Sequence, residues 1–194
     1  MGKTEVGCRP LKYREIPSTV DVKMRAFRDN PFINYIFQPP PDAREPRVGK
    51  LCTFFYIECV YYVSQREAIA IDGGDGYITY GSASNALSPL RKMFRRMLQA
   101  VVFCFLVLIF MLAGTKEQRQ RLKEARLKSH AAKDGAIGGQ RDDMFAIDTL
   151  AVSPDKQGMG YGSALLQAVT SRGIGGCASS TLVLVHQTGD EGLL

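Results

Sequence analysis

Asp148 and the run Gln157-Gly-Met-Gly-Tyr-Gly162 are the residues of this chain whose types and spacing point to chemistry. Glycine at 158, 160 and 162 leaves a stretch of backbone bare of side chains, so its N–H groups can approach an anion closely. A helix-like pattern follows from about Gly160 to Arg172, and the positive end of its dipole would add to the attraction for phosphate. Ahead of the loop, Met144–Val152 reads as an apolar strand carrying one carboxylate, Asp148. By the period of two, Asp148 shares a face with Ala146, Leu150 and Val152. There it can take a proton from an attacking nucleophile, directly or through a water. An ordinary solvated acid at a sheet surface is the other reading of the same residue.

Two phosphate-binding loops are excluded by spacing. A P-loop requires a lysine after its last glycine, and the residue after Gly162 is Ser163. A dinucleotide-binding turn follows its strand almost directly, whereas Ser153–Gln157 intervene here, and its acid about twenty residues on is missing from a following strand that ends in Val185-His186. The run Gln157-Gly-Met-Gly-Tyr-Gly162 instead matches the pattern Gln/Arg-x-x-Gly-x-Gly/Ala. Together with Leu150-Ala-Val-Ser-Pro154 before it and Ala164-Leu-Leu166 after it, it resembles the GNAT superfamily of acetyl-CoA-dependent N-acyltransferases over about residues 144–172.

The resemblance implies an α/β fold, a twisted mixed sheet flanked by helices, and transfer of an acetyl group from acetyl-CoA to an amine. It implies that Gln157, Gly158, Met159, Gly160, Tyr161, Gly162 and Ser163 cradle the pyrophosphate, with Tyr161 packing or lying along the cofactor. Leu150, Ala151 and Val152 would offer backbone groups to the pantetheine arm, and Asp148 would be the general base. Relatives continue after the strand Thr181–His186 with a helix bearing a tyrosine acid and two more strands. This chain stops at Leu194, so the resemblance implies a C-terminally shortened member. The stretch from Ser84 to Asp143 resembles a helical insertion of fungal-type members. The acceptor would be an amine on a small molecule or a protein.

These residues need elements to hold them. With 45% hydrophobic and 23% charged residues, the 194-residue chain can bury the core of one globular domain. Arg9–Ile16 reads as a strand, and Ser18-Thr-Val-Asp21 as a capping box opening a helix that breaks near Asp29-Asn30-Pro31. Gln38-Pro-Pro-Pro41 is a rigid loop. Val48, Leu51, Phe55, Cys59 and Tyr62 share one face of a helix over about Arg44–Ser64. Ala68–Asp72 and Tyr77–Ser82, separated by Gly73-Gly-Asp-Gly76, form a hairpin. Asp134–Asp143 is a glycine-rich linker. The strand Thr181–His186 is apolar on both faces and, with nothing after it to cover it, invites self-association.

The net charge of +6 concentrates in residues 91–128, where ten basic side chains face only Glu117 and Glu124. Without aromatics among the charges, nucleic acid is not the expected partner. Between the basic runs, Met97–Ala113 has no charged residue and touches the lower limit for crossing a membrane, about 17 residues. A buried helix is the preferred reading, membrane association through Met97–Ala113 the alternative. Two further functions stay open: a catalytically inactive coenzyme A-binding domain, and a membrane- or nucleic-acid-associated helical protein acting through residues 91–128. The five cysteines are scattered and form no metal-binding pattern, so no metal is expected. An N-terminus without an apolar core suggests the cytoplasm. His130 and His186 read as surface or strand-end residues.

Overall fold

The computed structural model describes residues 7–37, 47–83, 87–137, 145–174 and 182–184. Their strands form one mixed sheet in the order β1-β2-β3-β4-β5: Arg9–Pro10 (β1), Ala68–Ile71 (β2), Gly76–Gly81 (β3), Phe145–Val152 (β4) and Leu182–Leu184 (β5). The first four are antiparallel neighbours and β5 runs parallel to β4. Helices Ile16–Ala26 (α1) and Arg47–Gln65 (α3) pack on one face, Tyr161–Ile174 (α6) on the other. A mixed α/β sheet with helices on both faces agrees with the fold the resemblance implies.

The hairpin forms where alternation and glycine place it, with Ala68 opposite Thr79 and Ile71 opposite Gly76. All four residues of β2 are buried, because α3 covers one face and α6 the other. On α3 the apolar stripe is in place: Leu51, Phe55, Cys59 and Val63 are buried, with Tyr62 packed at the margin. On α6, Leu165 and Val169 are fully buried.

Four expectations are corrected. The strand over Arg9–Ile16 shrinks to Arg9–Pro10, because Pro10 has no N–H for a ladder and Glu15 folds the chain back. The Glu15 carboxylate accepts from the Lys12 amide (3.1 Å) and from Arg9 (2.8 Å), closing a 3-10 turn over Tyr13–Glu15. Helix α1 therefore starts at Ile16, with Pro17 in its first turn, and Ser18 donates to the Glu15 carbonyl from inside the helix instead of capping it. The helix ends at Ala26, and a separate helix, Pro31–Phe37 (α2), begins where Asn30 accepts from the Ile33 amide. The first residues of the expected linker are helical, since helix Lys116–Ile137 (α5) includes Asp134 and Gly135, and its remainder, 138–143, lies outside the described residues.

The fourth correction is the largest. Met97–Ala113 belongs to a 25-residue helix, Pro89–Ala113 (α4), and it is not a core helix: its described side chains are exposed or half-buried. It touches the domain mainly through α3, with α5 beside it. Arg95 reaches Glu67, and Leu106, Ile109 and Phe110 lie over Lys50 and Phe54 of α3. The sheet core was already closed over by α1 and α3, so no volume remained for α4. The loop Gln38–Pro41 and His186 lie outside the described residues, as does the side chain of His130.

Candidate functional site

The glycine loop stands between the end of β4 and the start of α6. Gly158 and Gly160 have φ of +77° and +84°, the left-handed region, and a Cβ on either would meet nothing within 4 Å. The need for glycine is therefore backbone conformation, and the ground above the loop is open. Lys156, Gln157 and Met159 donate to carbonyls within the loop, and Ala164 makes the first helical bond, to Gly160. Among the described residues, the amides of Gly158, Gly160, Tyr161, Gly162 and Ser163 donate to no carbonyl. Free donors at a helix start are an anion site of known physics.

The loop is tied to the β2–β3 turn. Tyr161 turns inward against Leu165 and Ile69, and its hydroxyl donates to Asp72 at 2.5 Å. That bond, then burial, raises the phenol pKa. Of the two placements expected for the Tyr161 ring, packing or lying along a cofactor, the structure shows packing. The Ser153 amide donates to the Asp75 carbonyl at 2.7 Å, and Gln157 Nε2 reaches the Val152 carbonyl at 3.4 Å.

Asp148 is not on the expected face. Thr79 pairs with Thr149 but Tyr80 pairs with Ile147, so Asp148 is the extra residue of a β-bulge. A bulge interrupts the alternation of period two. Leu150 and Val152 pack toward α6, while the Asp148 carboxylate lies against the Tyr62 hydroxyl of α3. Burial, then the Asp148 charge, hold the Tyr62 phenol well above its ordinary pKa. Beside this pair, Arg95 binds Glu67 at 2.9 Å and the Ser82 carbonyl at 3.2 Å. On the same side of the sheet, Lys23 is 4% exposed. It donates to both oxygens of Glu58 at 2.8 Å and to Thr149 Oγ1 at 3.3 Å, fixing β4 next to the bulge.

Pairing of β4 with β5 ends at Ile147 opposite Leu184. Beyond it, no described strand meets that side of Asp148–Val152. Among the described residues, a stretch of β4 edge without a strand partner, loop amides that donate to no carbonyl and the carboxylate at the bulge therefore lie toward one end of β4. Residues 126–190 match the model of the acetyltransferase (GNAT) family. No curated protein matches the chain. The GNAT match spans β4, the loop and α6, the elements that build the site, and it supports acyl transfer as the chemistry. Coenzyme A thioesters are the general acyl donors of GNAT members, and the residues present fit one: amides for the diphosphate, the strand edge for an amide-bearing arm.

Tyr62, Arg95, Glu67, Lys23 and Glu58 were not legible as site residues. A signal existed for two of them: Lys23 stands one turn from Val20 and Glu58 one turn from Phe55 on otherwise apolar helix faces, and a charge there needs a buried partner.

Proposed function

We propose that this chain transfers an acetyl group from acetyl-CoA to the amine of a small molecule or protein. The observation that carries the reading is the set of amides, Gly158 and Gly160 to Ser163, that donate to no carbonyl among the described residues, on a loop whose positive φ values require glycine, within the GNAT-matched segment. Acetyl-CoA supplies an activated acyl group. The loop amides and the α6 dipole hold its diphosphate, and the open edge of Leu150–Val152 hydrogen-bonds its pantetheine amides.

Asp148 accepts the proton of the attacking amine. The new C–N bond forms as the C–S bond breaks, and coenzyme A leaves with the electron pair. Tyr62, kept protonated, donates to the Asp148 carboxylate and orients it; Thr149, clamped by Lys23 and Glu58, keeps the bulge in register. The Cys59 thiol beside this cluster is pushed up to about 12 by burial, so it is protonated at neutral pH and does not carry an acyl group.

Calorimetric titration with acetyl-CoA, followed by a thiol-release assay over a panel of amines, tests the reading. Saturable binding with amine-dependent thiol release is expected. Binding without release on any amine would leave a coenzyme A-binding domain, and no binding would remove the proposal.

A further inference from the structure

Helix α4 combines three features. From Met97 to Ala113 it carries no charge, and two of its sides away from α3 expose apolar residues: Met97, Val101, Phe105, Leu108 and Leu112 along one, Phe103, Val107 and Met111 along the other, all 38–79% exposed. Its basic residues Arg91, Lys92 and Arg96 crowd the first two turns, where the helix itself carries no acidic residue. Cations at a helix N-terminus oppose the dipole, so this end of the helix favours a nearby anion. Finally, α4 is fastened to the domain at both ends, by Arg95 to Glu67 near Asp148 and by the Phe110 ring against Phe37, centroids 5.5 Å apart.

A protein partner would cover one face and leave the others to water. Only a solvent that is itself apolar satisfies a helix apolar over all its free sides, and cations at one end select a negatively charged boundary for that solvent. We propose that α4 is the membrane-binding element of this chain, lying in the plane of an anionic lipid surface with its free faces in the acyl region and Arg91, Lys92 and Arg96 among the headgroups. It does not cross. The polar helix α5 returns beside it, with the Arg119 guanidinium 3.6 Å from the Met111 sulfur and Arg126 4.3 Å from the centre of the Phe103 ring, so passage through a bilayer would drag these charges into hydrocarbon. The proposal is independent of acetyl transfer.

Flotation of the purified full chain with vesicles of phosphatidylcholine, with and without phosphatidylglycerol, tests it. The chain should float with the anionic vesicles. The triple variant Phe105→Ser, Leu108→Ser, Leu112→Ser, all at exposed positions, should lose flotation while its far-ultraviolet dichroism and melting cooperativity stay those of the parent. The variant Arg91→Gln, Lys92→Gln, Arg96→Gln should bind anionic vesicles more weakly, by about fivefold for each charge removed, with little change on neutral ones. Flotation that survives the serine substitutions would overturn the proposal. So would a parent chain that ignores both vesicle types and is a dimer by light scattering, which would assign α4 to a second copy. Carbonate-resistant insertion with α5 protected from trypsin inside sealed vesicles would replace the in-plane helix by a crossing one.

Discussion

Helices α6 and α4 both follow a loop and both carry long apolar residues, yet they relate to the sheet in opposite ways. On α6, Leu165 and Val169 point into the sheet and have no exposure, while Ser163, Gln167 and Ser171 face solvent. On α4, none of the described side chains is buried. The difference lies in patterning: α6 has one apolar side and so one way to dock, whereas α4 is apolar around its circumference and its sequence leaves its partner undefined. High hydrophobicity on its own says that a helix avoids water, and only a polar face says in which direction.

The comparison can be broken or sharpened at several points. The largest effect is expected at Asp148, whose replacement by Asn keeps the shape and removes the base. Acetyl transfer should fall on the order of a hundredfold to ten-thousandfold with acetyl-CoA affinity nearly unchanged, and equal losses in binding and turnover would make Asp148 structural. Next is Gly160→Asp at the start of α6, which strains a φ of +84° and faces the diphosphate with a like charge. A loss of about a hundredfold in affinity should appear as a vanished thermal shift with acetyl-CoA, and an undiminished shift would move the cofactor elsewhere.

The helices themselves can be compared directly. Leu165→Ala should destabilise by about 2–5 kcal/mol, while Leu108→Ala on α4 should stay within about 0.5 kcal/mol in detergent-free buffer; similar costs in chemical denaturation would show that α4 is packed in solution. The smallest effect concerns the far edge of the sheet. The Arg9 hydrogen bond, which outweighs the opposing effect of burial, holds Glu15 below its ordinary pKa of 4.5. A depressed folded pKa contributes stability above the unfolded value that disappears as pH falls through the folded one. Melting temperature should therefore drop below about pH 4.5 in the parent, and part of that drop should be missing in Glu15→Gln.

Much of this molecule is legible in its residues. The hairpin follows from alternation interrupted by Gly73-Gly-Asp-Gly76, α3 from its spaced apolar stripe, and the anion loop from glycines whose positions survive comparison with other loops. The place of Asp148 was not legible, because the period of two identifies a face only while the ladder is regular, and nothing in Ile147-Asp-Thr149 marks which residue is the extra one. The Lys23–Glu58–Thr149 group joins three distant segments and exists only once α1, α3 and β4 meet. Residues such as Tyr62 and Arg95 gain meaning from the carboxylates that packing brings beside them.

The bond from Tyr161 to Asp72, with that from Ser153 to Asp75, makes the hairpin turn and the anion loop one mechanical unit. Asp72 itself holds a left-handed φ of 45°, so its backbone is strained where its carboxylate is engaged. The loop is thus already in its working shape before any ligand arrives, and a ligand gives up little to conformational ordering when it binds. Loosening the β2–β3 turn would soften the loop without touching a single residue of it.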